Sequence, residues 1–147
     1  YRFVGDRDEA EDLAQEAFVR LYRARRRYRP TAQFSTFLHR LVVNLCLNET
    51  RRRKRRPTVD LEAADEVAAG DSPDETATRR ELAAQVQAAL RRLPEGQRLA
   101  IVLFRFEGLS QREVAEAMGC SVGAVEALLH RAGRNLRRTL QEYVQES

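Results

Sequence analysis

The chain has 147 residues, of which 43% are hydrophobic and 33% charged, so it can fold as one domain or two small ones. No apolar stretch approaches the ~18 residues of a membrane span, and no charged-then-apolar leader is present. Gly and Pro are scarce (7 and 4) while Ala, Leu, Arg and Glu dominate, a mix that favours helix over sheet. The sequence opens on Tyr1 rather than Met, and Tyr1–Val4 reads as the tail of something longer. Cys46 and Cys120 lie far apart in a chain without secretion signals, as expected of free thiols in a reducing cytoplasm.

The net charge of +4 is unevenly spread: residues 1–56 carry +8, residues 57–78 carry −7 and residues 79–147 carry +3. Two basic blocks flanking an acidic strip suit two nucleic-acid-binding domains joined by a linker that avoids DNA.

In chain order, Asp8 with Glu11 can cap a first helix. Leu13, Ala17, Phe18, Leu21 and Tyr22 then recur at helical spacing. Its acidic start and basic end suit the macrodipole, and Pro30 breaks the pattern. Ser35 is expected to cap a second helix with Phe37, Leu38, Leu41, Val42 and Leu45 as its buried stripe. Asn44, Asn48, Arg51, Arg52 and Arg55 form a different face, polar and then strongly basic, within a run of six basic residues at 51–56. Residues 57–78 read as a linker, mobile or partly helical, and long for a loop inside one compact domain. Leu82, Val86, Leu90 and Leu93 mark a third helix ended by Pro94. Leu99, Val102, Leu103 and Phe106 mark a fourth ended by Gly108. Ser110 and Glu113 form a capping box for a short fifth helix. After the turn at Gly119–Ser121, a sixth runs from Val122 to about Tyr143. No segment alternates with period two for long, so the expected class is all-α.

The last two helices form a helix-turn-helix. Ala115 is small where the helices cross, Gly119 supplies the positive φ of the turn, and Val125 pins the second helix on the first. Val114, Met118, Leu129 and Ala132 fill the remaining core positions. The second helix presents Glu126, Ala127, His130, Arg131 and Arg134 outward. A helix fits the major groove with its first turns at the base edges. There Glu126 can accept from cytosine N4 and Arg131 can pair with guanine, while Arg134, Arg137 and Arg138 suit phosphates. The competing explanation is an ordinary helical hairpin with a solvated charged face.

Glu11-Asp12-Leu13-Ala14-Gln15-Glu16-Ala17-Phe18 resembles the region 2.2 helix of bacterial sigma factors, with its D-L-x-Q-E core. Phe34-Ser35-Thr36-Phe37-Leu38-His39-Arg40-Leu41-Val42-Val43-Asn44 resembles regions 2.3 and 2.4. Leu93-Pro94-Glu95 through Arg138 resembles region 4, with Ser121-Val122-Gly123-Ala124-Val125-Glu126 opening the recognition helix. The absence of regions 1 and 3 resembles the extracytoplasmic-function (ECF) group of the sigma-70 family. The match covers nearly all of the chain outside the linker, and the two motifs in this order are far more specific than either alone.

The resemblance implies a sigma region 2 bundle at 1–56, an acidic linker at 57–78 and a sigma region 4 helix-turn-helix at 79–147. It implies that Asp12, Leu13, Gln15 and Glu16 dock on the β′ clamp helices of core RNA polymerase. It further implies that Phe34, Ser35, Thr36, Asn44, Asn48, Arg51 and Arg52 bind the −10 promoter element, where unstacked bases need pockets and the backbone needs cations. Phe34 suits either that role or the core. Ser121, Glu126, Ala127, His130, Arg131 and Arg134 would read the −35 element as duplex, and region 4 would touch the β flap. The acidic linker would thread into the polymerase cleft, although a simple tether explains its composition equally well. An anti-sigma factor is a common family partner. Family members carry some twenty or more residues ahead of the point matching Tyr1, so half of the first region 2 hairpin is expected to be missing.

An enzyme is the first rival reading, but there is no Gly-rich phosphate loop, no His-Glu-x-x-His and no nucleophile beside a base. His39, Cys46, Cys120 and His130 are the one metal-capable set, and the Cys120–His130 spacing fits no zinc pattern. No metal, cofactor or small-molecule substrate is therefore expected. A response-regulator-type protein would share the helix-turn-helix but needs an α/β receiver where residues 1–56 read as helices. A pure interaction module leaves the Arg run unexplained.

Overall fold

The computed structural model describes residues 1–31, 33–55 and 73–146. Among them are six α-helices and no strand: α1 (Arg7–Ala24), α2 (Phe34–Arg55), α3 (Pro73–Arg92), α4 (Glu95–Ile101), α5 (Gln111–Met118) and α6 (Val122–Glu146). A π-helical turn at Val102–Phe106 continues α4. Residues 57–72 of the acidic linker lie outside the described residues, and 73–78 form the first turns of α3.

Helix α1 starts two residues earlier than the capping pattern suggested. Gly5 takes φ +78°, turning the chain so that Asp6, in an extended conformation, caps the helix. The Asp6 carboxylate accepts from the Glu9 N–H at 2.8 Å. Asp6-x-x-Glu9 offers the same chemistry as Asp8-x-x-Glu11, and the left-handed glycine ahead of it decides between them. Ser35 likewise is not a cap: α2 already includes Phe34, and the Thr36 N–H bonds to the Gln33 carbonyl at 3.0 Å.

The buried face of α2 follows the expected stripe only at Leu45. Val43 and Leu45 are its buried residues, while Phe37, Leu38 and Leu41 are half-buried and Val42 is exposed. The reason is that α2 is packed from two sides, by α1 and by α5. Only one of those neighbours is adjacent in sequence, so a single helical stripe could not anticipate both.

One apolar cluster joins Phe3, Val4 and Val43 to Leu99, Leu103, Val114, Ala117 and Val125, with Leu13, Cys46 and Leu47 packed against it. A second joins Leu90, Leu93, Ile101, Val102 and Ala132. Ile101, Val102 and Leu103 are all buried although they are consecutive. Three successive helical positions point in widely different directions, and here the first two serve one cluster and the third the other. Val102 and Leu103 already belong to the wider π-helical turn, in which the Glu107 N–H reaches back to the Val102 carbonyl at 3.1 Å.

Candidate nucleic-acid interface

The helix-turn-helix is built as its residue types require. The Ser110 hydroxyl accepts from the Glu113 N–H at 3.1 Å, and the Ser110 N–H donates to the Glu113 carboxylate at 2.7 Å, closing a full capping box. The Ser110 backbone bond is the largest cause holding the Glu113 carboxyl below the usual carboxylate range. Gly119 ends α5 at φ +68°, ψ 37°, and its N–H returns to the Ala115 carbonyl. An L-residue there would place Cβ against the following carbonyl. The Ser121 hydroxyl then accepts from the Ala124 N–H at 3.1 Å and caps α6. Val114 and Val125 are fully buried where the helices cross, and Ala115 is 5% exposed.

Because Val125, Leu128, Leu129 and Ala132 face inward, the opposite side of α6 is left outward. Ser121, Glu126, Ala127, His130, Arg131 and Arg134 are all exposed, as are Arg137 and Arg138. The arrangement is a helix with small and hydrogen-bonding side chains at its start and guanidinium groups further along. That matches base reading by the first turns and phosphate contact by the later ones.

On α2, Asn44, Asn48, Arg51, Arg52 and Arg55 form an exposed face, as their spacing suggested. Arg52 also bonds Glu49 at 2.9 Å. Phe34 is 49% exposed rather than core. It meets Tyr28 edge-on at 5.9 Å between ring centroids, and Tyr28 lies 5.1 Å from Phe37. Ser35 is exposed and Thr36 half-buried beside them. This aromatic cluster sits next to a basic run, Arg25–Arg27 and Arg29, which supplies stacking surface and cations together. The place of Tyr28 in this cluster was missed in the sequence, although an aromatic among arginines was the available signal.

On α1, Asp12 and Gln15 are exposed and Glu16 is half-buried, bonded to Arg20 at 2.7 Å. Leu13 is half-buried: it packs against the core cluster and lines the apolar groove between α1 and α2.

Side chains from distant positions tie the N-terminal block to the helix-turn-helix block. Arg40 donates to the Glu116 carbonyl at 3.0 Å, Arg98 to the Phe3 carbonyl at 3.0 Å, and Lys54 pairs with Glu95 at 3.2 Å. Within the N-terminal block, Arg53 binds both Glu9 and the Val4 carbonyl. Burial lowers the pKa of Arg98, partly offset by the nearby Glu95. None of these ties had a sequence signal, since their partners stand 41 to 95 positions apart, the Arg53–Glu9 pair at 44 included.

Burial also raises the Cys46 thiol, and Cys120 is exposed on the turn of the helix-turn-helix. Among the described residues no three His, Cys, Asp or Glu side chains are grouped to hold a metal. No described helix is long and apolar enough to cross a membrane.

The family described as Sigma-70 region 2 matches residues 1–56, and Sigma-70, region 4 matches residues 83–136. The chain is 39% identical to the RNA polymerase sigma-H factor of Pseudomonas aeruginosa, over 99% of this chain and 80% of that protein. It is 39% identical to the ECF RNA polymerase sigma factor SigE of Mycolicibacterium smegmatis, over 100% of this chain and 58% of that one. With SigW of Bacillus subtilis the identity is 34%, covering 97% and 81%. Among solved structures, CnrH in complex with the cytosolic domain of CnrY superposes with a TM-score of 0.69 at 30% identity, covering 96% of this chain and 77% of that one. The sigma factor RpoE of Bartonella quintana, in complex with the anti-sigma factor NepR, shares the fold with a TM-score of 0.72 at 23% identity, covering 91% and 82%. Both motif regions, their order, their helices and the length of the likeness agree: the chain belongs to the sigma-70 family, in its ECF group of RNA polymerase sigma factors, which direct core polymerase to promoters.

Proposed function

We propose that this chain divides promoter recognition between its two ends, and that it acts by binding alone, without catalysis. Residues 1–56 form the polymerase-docking and −10-binding domain, 57–78 the connecting stretch, and 79–147 the −35-binding domain. The observation that carries the reading is the exposed face of α6, where Glu126, His130, Arg131 and Arg134 recur beside Ala127 and Ser121 on a helix whose other side packs against the core.

In this reading α6 lies in the major groove of the −35 element and region 4 also meets the β flap. Phe34, with Tyr28 beside it, offers a ring for an unpaired −10 base. Ser35, Thr36, Asn44 and Asn48 supply hydrogen bonds, and Arg51 and Arg52 neutralise the backbone. Asp12, Gln15 and Glu16 face the β′ clamp helices, and Leu13 acts by holding that face in place. The work is done in a bacterial cytoplasm. An anti-sigma factor is proposed as a regulator, because the superposed sigma factor RpoE was solved in complex with the anti-sigma factor NepR.

The test is transcription in vitro with purified core polymerase over a pool of randomised promoters. The expected outcome is enrichment of two sequence blocks at a fixed spacing. Reversing Asp12 and Glu16 to Lys is expected to abolish core binding while duplex affinity stays. Core binding by the double variant equal to that of the parent would sink the docking assignment.

A further inference from the structure

We propose that Arg53 is a positioning residue: it fastens the end of α2 to the start of α1, and so sets the −10 face of α2 relative to the polymerase-docking face of α1. The inference rests on the sigma-factor reading above.

In the sequence Arg53 is one of six consecutive basic residues, 51–56, and shares the charge of its neighbours. Its surroundings differ from theirs. Arg51, Arg52, Lys54 and Arg55 are exposed, while Arg53 is half-buried. Two positions past Arg51, it lies about 200° further round the helix axis. Its guanidinium turns back to α1. Nε donates to Glu9 Oε1 at 2.5 Å, and Nη2 is ion-paired with Oε2 of the same carboxylate. Nη1 donates to the Val4 carbonyl at 3.2 Å. All three guanidinium nitrogens are therefore engaged by residues 4 and 9, a planar fork against a planar carboxylate. Glu9 is itself held, since its N–H donates to the Asp6 carboxylate that caps α1. A cation serving phosphate would be left facing solvent, as Arg51 and Arg55 are.

The clamp matters because the hairpin has little else to fix its width. Between α1 and α2 lies an apolar groove of about 470 Å³. A filled interface sets the distance between two helices through close packing, and an open groove does not. At the loop end of the hairpin Tyr28 rests against Phe34 and Phe37. At the other end the link is Arg53. Asp12, Gln15 and Glu16 stand on one helix of this pair and Asn44, Asn48 and Arg51 on the other. Polymerase holds the first set and opened DNA meets the second, so the clamp decides where the −10 face stands once α1 is docked.

Open-complex formation by the holoenzyme gives the test, on a promoter taken from the randomised pool and read by permanganate oxidation of unpaired −10 thymines. Arg53→Ala and Glu9→Ala should each reduce opening by about tenfold, and the double variant should be no worse than either single one. Affinity for core polymerase should stay within about twofold, since the docking residues keep their places on α1. The dependence of promoter affinity on salt should also stay, whereas Arg51→Ala lowers its slope by about 0.9. Arg53→Lys should recover most of the loss when Glu9 is present and none beside Glu9→Ala, because the ammonium acts through that carboxylate. A slope lowered by Arg53→Ala as much as by Arg51→Ala, or opening that rises with Glu9→Ala, makes Arg53 a phosphate contact and overturns the proposal. Core binding lost in step with opening overturns it too, since the pair would then do no more than keep the chain folded. If the parent holoenzyme opens no promoter, the sigma-factor reading fails instead. Urea denaturation of the free chain still decides the clamp in that case: additive losses from the two single variants overturn it, and a double variant as stable as the weaker single one supports it.

Discussion

The two regions solve the same problem, presenting a charged helical face, with very different cores. In the helix-turn-helix region the interior is finished: Leu90, Val114, Val125 and Ala132 are shut off from solvent. In the α1–α2 hairpin, Ala17, Val43 and Leu45 are buried, but Phe18 is 71% exposed and Tyr22 65%. Between α1 and α2 an apolar groove of about 470 Å³ is lined by Leu13, Ala17, Phe18, Leu21, Phe34 and Val42, among others. A helix face resting on a closed core is rigid, and substitutions on it report contacts with DNA. A face resting on an open groove answers also to whatever packs beneath it. The difference teaches that variants in the two regions cannot be read on one scale.

The strongest way to break that comparison is a matched pair of charge insertions. Val125→Asp places an uncompensated carboxylate where α5 and α6 cross and is expected to cost ~3–5 kcal/mol. Phe18→Asp, on the exposed ring in the other region, is expected to stay within about 0.5 kcal/mol. Urea denaturation of both variants checks this, and similar losses would mean the hairpin is as closed as the helix-turn-helix.

A smaller effect separates base reading from backbone contact. Arg131→Ala should relax preference at one −35 position by ~1–3 kcal/mol. Arg51→Ala should weaken all sequences alike and reduce the salt dependence by about 0.9 of a unit in slope. Selection over variant promoters at two salt concentrations distinguishes them. Uniform weakening by Arg131→Ala would move that residue to the phosphates.

Gly119→Ala forces a side chain into the left-handed region although nothing crowds the position. A loss of ~1–2 kcal/mol is expected from the backbone alone. A thermal melt that barely moves would show that the turn can relax. Smallest of all is the capping box. Glu113 is more acidic folded than unfolded, so its contribution is present above the unfolded carboxyl pKa and is lost as pH falls through the lower, folded value. Its side chain is fully exposed, so solvent screens the effect. Glu113→Gln should flatten the acid limb of the stability profile slightly, and an unchanged limb would assign the acid sensitivity to other carboxylates.

Much of this was legible in the residues. Ala115, Gly119 and Val125 are found where a helix-turn-helix needs them, because each position is set by a local steric demand that only a few side chains meet. The Asn44, Asn48, Arg51 face was legible for the same reason: helical period alone generates it. The helix starts were harder. Asp6 and Asp8 compete as caps, and the conformation of Gly5 settles the choice. The second packing face of α2 was invisible, since Val43 answers to α5, far away in the chain. Leu13 and Phe34 make a related point: Leu13 packs against the core cluster although the family match sets it on a docking face, and Phe34, open between core and surface in the sequence, is 49% exposed. Which apolar residues end up covered depends on the partners present, and periodicity says only that they lie on one side.

The first five residues of the chain have a practical bearing. Phe3 and Val4 are buried, and the carbonyls of Arg2, Phe3 and Val4 are bound by Gln87, Arg98 and Arg53. Gly5 packs so near Arg91 that an added Cβ would stand 3.0 Å from its side chain. This short segment is a structural member of the second region as much as of the first. Cutting the chain within 57–78 would therefore not release two finished halves: the second would lose a plug, and the first would carry two bare hydrophobic side chains into solvent. Affinities measured on such fragments would describe surfaces that the intact chain does not expose.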